Sequence, residues 1–186
     1  MVSTTLAAGD LLVAVPHLAD PNFRRAVVLL LHLDDEGALG VVLNRPLPVD
    51  VGDVLPAWQD VVSRPATLFQ GGPVGLDGAL GLATLPLAVE PPPGVTRVAS
   101  SFGLVDLDAD PATITGVLGL RVFAGHAGWG AHQLQDEVAA GDWYVLPALP
   151  SDAASADPAT LWRAVMRRQG GSMAILSTYP DDPSLN

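Results

Sequence analysis

AVVLLLHLDDEGALGVVLN, residues 26–44, holds two apolar runs and one polar turn. The runs, 26–33 and 38–44, are joined by Asp34-Asp35-Glu36-Gly37, four polar residues ending in glycine. That pattern predicts a β-hairpin. Neither run alternates apolar with polar positions, and only His32 interrupts the first. A strand apolar on both faces needs cover on both, so the hairpin belongs inside the molecule.

Working outward, residues 11–15 are a short apolar run stopped by Pro16 and read as a buried strand. Asp20-Pro21-Asn22-Phe23 reads as a capped turn, with Asp20 accepting backbone N–H bonds and Pro21 placed where its missing N–H costs nothing. Downstream, residues 50–62 predict a short helix broken near Pro56, and 66–70 a strand ending at Gly71-Gly72-Pro73. Strands are also predicted at 79–85, 95–102, 104–107, 120–124 and 142–149, with a last one at 173–177. Asp110-Pro111 opens a short helix. Residues 125–130 read as a glycine-rich strand-to-helix turn feeding a helix over 131–140, with Leu134 and Val138 on one face and Gly141 as its stop. A second helix runs from Asp157-Pro158 to about Gln169, turning Leu161, Trp162, Val165 and Met166 inward. Hairpin-linked strands with late helices make an α+β pattern with a mixed sheet. No repeat divides the chain, and residues 1–186 read as one domain.

Composition narrows the function. Of 186 residues, 49% are hydrophobic and 16% charged, with a mean hydropathy of +0.35, which excludes a disordered chain. Nine basic residues against 20 acidic ones leave a net charge of −11. All nine are arginine, and only Arg24-Arg25 and Arg167-Arg168 are adjacent. Phosphate contacts need a cationic face, so a nucleic-acid partner is not expected. There is no cysteine, hence no disulfide, thiolate nucleophile or cysteine metal site. No signal peptide is legible, and the apolar runs fall short of the ~20 residues of a spanning helix, so the expectation is a soluble cytoplasmic protein with no membrane partner.

No complete catalytic signature is present: no Gly-x-Ser-x-Gly elbow, no P-loop lysine, no paired-histidine metal motif. Neither a cofactor nor a metal is expected. Asp34-Asp35-Glu36 lacks the alternating ligands of a calcium loop, and His17 and His32, beside or within apolar strands, are expected in the core. The densest candidate is the segment from His126 to Glu137. A glycine cluster entering a helix exposes backbone N–H groups that suit an anion, with Gly128, Trp129 and Gly130 in the turn and Gln133 and Glu137 at i,i+4 on the helix. His126 and His132 can titrate beside it. The alternative is architectural: the glycines permit a tight turn, Trp129 packs as core, and His132 and Gln133 stand exposed. Asn44 and Arg45 emerge at the end of a buried strand, where Asn44 either serves a ligand or satisfies turn backbone. Gly71 and Gly72 either admit a ligand to the backbone or make a tight turn. If the loop is functional, Asn44, Gly72 and His126 should converge on one cleft.

Several motifs in order resemble the AlgH/YqgE family. They are Gly9-Asp10-Leu11-Leu12-Val13-Ala14 with Pro16, Leu18, Asp20-Pro21 and Phe23; Val27-Val28-Leu29-Leu30; Gly37 through Pro46; Gln70-Gly71-Gly72-Pro73-Val74; and Gly125-His126-Ala127-Gly128-Trp129-Gly130 with Gln133-Leu134, Glu137, Gly141 and Trp143. The closing Arg167-Arg168-Gln169-Gly170-Gly171 and Asp182-Pro183-Ser184-Leu185-Asn186 resemble its actinobacterial branch. Two positions depart from the pattern: His126 stands where the family usually has tyrosine, and Leu33 where many members have histidine. The resemblance implies an α+β fold whose branched, mixed sheet partly closes into a small barrel with helices around it. It implies no activity, and the family is largely uncharacterised, one branch being labelled a transcriptional regulator of alginate production.

The residues and the resemblance together favour a non-enzymatic binding or regulatory protein acting through a protein partner or a small anionic ligand. The alternatives are a hydrolase-like enzyme at residues 125–130 and, against the acidic charge and the missing helix-turn-helix, a transcriptional regulator. Duplex DNA is therefore expected not to bind at ~150 mM salt, where specific regulators reach roughly 10⁻⁸ M. An anisotropy titration checks this, and sub-micromolar, salt-sensitive binding would reverse the ranking.

Overall fold

The structure is a computed structural model and describes residues 5–182. Its strands are β1 (Asp10–Ala14), β2 (Val27–Asp34), β3 (Gly37–Val42), β4 (Pro46–Asp50), β5 (Thr67–Gln70), β6 (Val74–Thr84), β7 (Val95–Ala99), β8 (Phe102–Val105), β9 (Gly119–Gly130) and β10 (Trp143–Pro147). The helices are α1 (Val51–Val54), α2 (Gln133–Ala140), α3 (Leu161–Arg168) and α4 (Gly171–Leu176). One path runs β10-β1-β2-β3-β9-β6-β8-β7, and β5 joins β9 from the side with β4 beyond it. Among the described residues only the β5–β9 pair is parallel. The sheet is therefore branched at β9 and curls into a half-barrel, the α+β architecture expected above.

β2 and β3 form the expected hairpin, with Asp34 opposite Gly37. Asp34 Oδ1 accepts the N–H groups of Glu36 and Gly37 and closes the turn. Alternation then splits the apolar residues between two cores. Leu11, Val13, Leu29, Leu31 and Val41 face Phe69, Phe123 and the α3 residues Leu161, Trp162, Val165 and Met166. Leu12, Ala14, Val28, Leu30 and Val42 face Trp129, Trp143 and Leu134 of α2. Cover on both faces explains the unbroken hydrophobic runs, each buried Leu or Val contributing about 1.5–3 kcal/mol. A third core around Trp58, Leu68, Leu85, Leu120 and Val122 fills the far part of the sheet. Arg121 is 1% exposed and has no carboxylate partner among the described residues. Its guanidinium lies 4.1 Å over the Phe69 ring and donates to the carbonyls of Arg64, Ala153 and Ser155, while burial pulls its pKa down to about 10.

Several expectations are corrected. Residues 125–130 are no turn but the second half of β9, which pairs with β3 at 127–130 and with Val74 at His126. Pairing with β3 overrides the turn preference of glycine, and within this stretch only Gly125, φ +71°, takes a left-handed conformation, where the strand passes from one partner to the next. Residues 173–177 lie in α4 and its cap rather than a strand. Met173 and Leu176, three apart, pack together on the core beside α3. β4 lies where the sequence predicts no strand, and β6 begins at Val74, five residues before its expected start. His17 and His32 are exposed rather than buried. The core ends at Leu31, a register shift follows Leu30, and His32 turns out to bond Asp34 at 2.8 Å. Residues 183–186 of the closing motif lie outside the described residues.

The branch depends on two glycines. A Cβ on Gly71 would stand 2.3 Å from the Gly125 carbonyl oxygen, and one on Gly72 would stand 2.2 Å from the carbonyl carbon of His126. Both obstacles are backbone inside a sheet and cannot swing aside. Gly72→Ala is expected to cost about 3 kcal/mol, the upper end for overpacking. Urea unfolding measures it, and a variant within 0.5 kcal/mol of wild type would show that the junction yields.

Candidate functional site

The loop between β1 and β2 begins as a capped turn. Asp20 Oδ1 accepts the Asn22 N–H at 2.8 Å, and the Asp20 carbonyl accepts those of Phe23 and Arg24. Phe23 then stacks on Trp129 and meets Trp143 edge-on, which anchors the loop. Two residues later Arg25 has φ +55°, a left-handed conformation that costs a non-glycine residue of order 1–3 kcal/mol. Asn44, 8% exposed, holds it there. Its Nδ2 donates to the Arg25 carbonyl at 2.8 Å and its Oδ1 accepts the Val27 N–H at 3.0 Å. Asn44 thus satisfies backbone, and in doing so it sets the direction of the Arg25 side chain.

Four guanidinium groups meet at this end of the hairpin. Arg25 lies 4.1 Å over the Trp162 ring, and its Nη2 donates to the Pro180 carbonyl at 2.7 Å. Its Nε and Nη1 are buried with no hydrogen-bond partner among the described residues. Arg45 donates to the Arg24 carbonyl, and Arg163 to the Ser177 carbonyl and, at 2.8 Å, to Asp181. Together Arg24, Arg25, Asn44, Arg45, Trp162 and Arg163 line a cleft of about 470 Å³, with Asp181 on its rim. A smaller recess of about 60 Å³ continues past Arg45 to Gln70 and Gly72. Burial lowers the pKa of both Arg25 and Arg45; for Arg25 the Asp181 carboxylate works against that, while Arg163 and Arg24 add to it. A guanidinium so lowered is still a cation at neutral pH. An anion entering this cleft meets four positive groups and one negative one.

Of the residues expected at a site, Asn44, Arg45 and Gly72 come together here. Gly71 is locked in the sheet, its N–H on Ala124 and its carbonyl on Val42. His126 does not join them: its backbone backs Gly72, but its ring stands beside Gly75. Gly128, Trp129, Gln133 and Glu137 line a separate cleft of about 170 Å³ with Asp20, Phe23, Asp142 and Trp143. There the anion expectation is corrected. The Gly130 N–H is taken by Gln133 Oε1 at 3.0 Å, and Gln133 Nε2 in turn donates to Glu137. Glu137 Oε2 accepts both indole N–H groups, Trp129 and Trp143, at 2.9 Å each. This network is a fastener between α2, β9 and β10, and three carboxylates on its walls repel an anion. A Cβ on Gly128 or Gly130 would strike no neighbouring protein atom, so packing within the chain does not require glycine at either position. Among the described residues no group of three His, Asp or Glu side chains is placed to hold a metal, and no helix is long and apolar enough to cross a membrane.

Sequence reasoning missed Arg24, Arg25, Trp162, Arg163 and Asp181. A signal for the first two was present. A hairpin centred on residues 35 and 36 brings residue 25 level with residues 45 and 46, so Arg24, Arg25 and Arg45 share its open end. Nothing local foretells that α3 lays Trp162 and Arg163 against that end.

A family model described as AlgH-like matches residues 11–174. The chain is similar to the UPF0301 protein of Streptomyces coelicolor, 55% identical with 100% of this chain and 98% of that protein covered. It is also similar to the UPF0301 protein of Mycobacterium tuberculosis, 45% identical over 96% of this chain and 90% of that one. Among solved structures it is similar to a Corynebacterium diphtheriae protein determined by crystallography, with a TM-score of 0.90, 36% identity, and 96% and 95% of the two chains covered. The solution structure of the AlgH protein from Pseudomonas aeruginosa gives a TM-score of 0.69 and 28% identity over 97% of each chain.

The Asn44 clamp is open to direct test. Asn44→Ala leaves the Arg25 carbonyl and the Val27 N–H unpaired and is expected to cost about 2 kcal/mol. Asn44→Asp keeps the acceptor but loses the donor and is expected to fall between. Urea midpoints at pH 7 read both, and equal stability of Asn44→Ala and wild type would remove the clamp from the account.

Proposed function

The chain belongs to the AlgH-like family, and on that premise we propose that it is a non-enzymatic binding or regulatory protein whose arginine-lined cleft takes a small anionic ligand. One observation carries this reading. In a chain of net charge −11, four of the nine arginines line a single cleft that, among the described residues, contains one carboxylate. Such an arrangement focuses positive potential where the rest of the surface repels anions, which favours entry at that point alone. Arginine also fits a carboxylate or phosphate with paired, parallel N–H donors, as a lysine does not.

The same lining speaks against hydrolysis. Its described residues are Pro, Arg, Asn, Ala, Trp and Asp, with no serine, cysteine or histidine, and its one carboxylate, Asp181, is paired with Arg163 rather than free to act as nucleophile or base. The cleft is a place to hold charge, and the free energy of holding it is available to stabilise one conformation or one complex over another.

Thermal-shift and calorimetric titrations with inorganic phosphate, pyrophosphate and citrate at low ionic strength test the proposal. A ligand at 100 times its Kd adds about 2.7 kcal/mol of stability. Arg45→Ala and Arg163→Ala are expected to weaken binding at least tenfold each, while His126→Ala leaves it unchanged. The reading fails if no anion raises the midpoint, or if His126→Ala and not the arginine variants abolishes the shift.

A further inference from the structure

The arginine-lined cleft has a neighbour of opposite character. A cavity of about 360 Å³ lies between Pro16, His17, Tyr144, Leu176, Tyr179 and Pro180, and apart from His17 and the Arg25 edge its walls are mainly hydrocarbon and aromatic ring. That volume lies in the range that accepts small organic ligands. One side chain, Arg25, lines both cavities. The boundary is completed by the segment 179–181. Pro180 faces the apolar cavity and offers its carbonyl to Arg25, and Asp181 faces the cleft with its carboxylate on Arg163. The chain itself therefore lays an aromatic ring, a proline and then a carboxylate across the two spaces, in that order. Arg25 beneath this segment keeps two buried donors, Nε and Nη1, without an acceptor among the described residues. Unmet donors on a charged group are costly, and a ligand that supplies acceptors gains what the segment leaves undone.

Resting on the anion reading of the same cleft, we propose that the ligand is an anionic amphiphile: a carboxylate or phosphate carried on a short alkyl chain or a single ring. Its charged end takes Arg163, Arg45 and the free donors of Arg25, and its apolar end enters the cavity at Tyr144 and Leu176. The segment 179–181 yields its place, so Asp181 is a built-in competitor for the ligand. An inorganic anion uses only the cleft and leaves the apolar cavity empty.

The probes are sodium octanoate and octyl phosphate, each below its micelle concentration, set against acetate and inorganic phosphate and read by calorimetry on the full chain. The octyl compounds are expected to bind at least tenfold more tightly than their short counterparts. Leu176→Trp, which fills the apolar cavity, should erase that margin and leave acetate and phosphate binding as in wild type. Leu176 also touches the core, so Tyr179→Asp, at an exposed position, serves as the second variant and should cut the octyl margin in the same way. Asp181→Asn removes the competitor and should tighten octanoate severalfold. Equal affinity for octanoate and acetate, with both bound, overturns the amphiphile and leaves the anion cleft standing. If no anion of either length binds, both readings fall together. An octyl margin that survives both Leu176→Trp and Tyr179→Asp also overturns it. So does co-sedimentation with phosphatidylglycerol vesicles without monomer binding, which would assign the surface to a membrane.

Discussion

Backbone meets backbone where Gly71 and Gly72 cross Gly125 and His126, and the rest of the molecule is arranged around that contact. With no side chain between them, β5 can join β9 on an edge that would otherwise be closed, while β9 keeps its bonds to β6 on one stretch and to β3 on the next. The sheet has to branch, and a branched sheet has to curl. The same crossing supplies partners for the end of β3, because Val42 donates to the Gly71 carbonyl and Gln70 donates to that of Arg45. Hydrogen bonds that would be lost as β3 leaves β9 are recovered there. The outcome is that Asn44 and Arg45 stand beside Gly72 at a corner of the sheet rather than fraying into a loop.

That corner is where charge gathers. Asn44 binds the turn at Arg25, Trp162 anchors α3 by donating its indole N–H to the Ala14 carbonyl at 2.8 Å, and the face of the same indole lies under the Arg25 guanidinium. A core residue of α3 thus serves as the floor of the cleft, so core packing and site geometry are one constraint. The helix divides its residues accordingly. Leu161, Trp162, Val165 and Met166 are buried, Arg163 reaches the cleft, and Arg168 makes a bidentate pair with Asp152 at 2.6 and 2.7 Å on the opposite side. Arg168 is consequently spent on structure, and Arg24, Arg25, Arg45 and Arg163 are the cations left facing a common space.

The glycine-rich segment of β9 has a different job from the one its composition advertises. Its tryptophan, with Trp143, hands both indole N–H groups to one carboxylate, Glu137, which Gln133 steadies from the adjacent turn of α2. Two buried indoles thereby find acceptors, and α2 is fastened to the outer face of the hairpin core through Leu134. Phe23 packs on the same pair of rings, stacked on Trp129 and edge-on to Trp143, which joins this fastener to the loop carrying Arg24 and Arg25.

Period and punctuation were enough to read the hairpin from residues 26–44, the buried face of α3 and the Gly141 stop of α2, because each is set by neighbours a few residues away. Length and composition bounded the class of protein in the same local way. They misread residues 125–130 and 173–177, since a glycine-rich or short apolar run takes the conformation that its partners allow, and those partners are distant in the chain. The site divides along the same line. Asn44 and Arg45 were marked by their position at a strand end, and hairpin symmetry alone places Arg24 and Arg25 beside them. Trp162, Arg163 and Asp181 arrive from more than a hundred residues away, carried there by the packing of α3 on the core. Only the tertiary structure decided where the cations meet, because Coulomb energy depends on distances in space, and the sequence records distances along the chain.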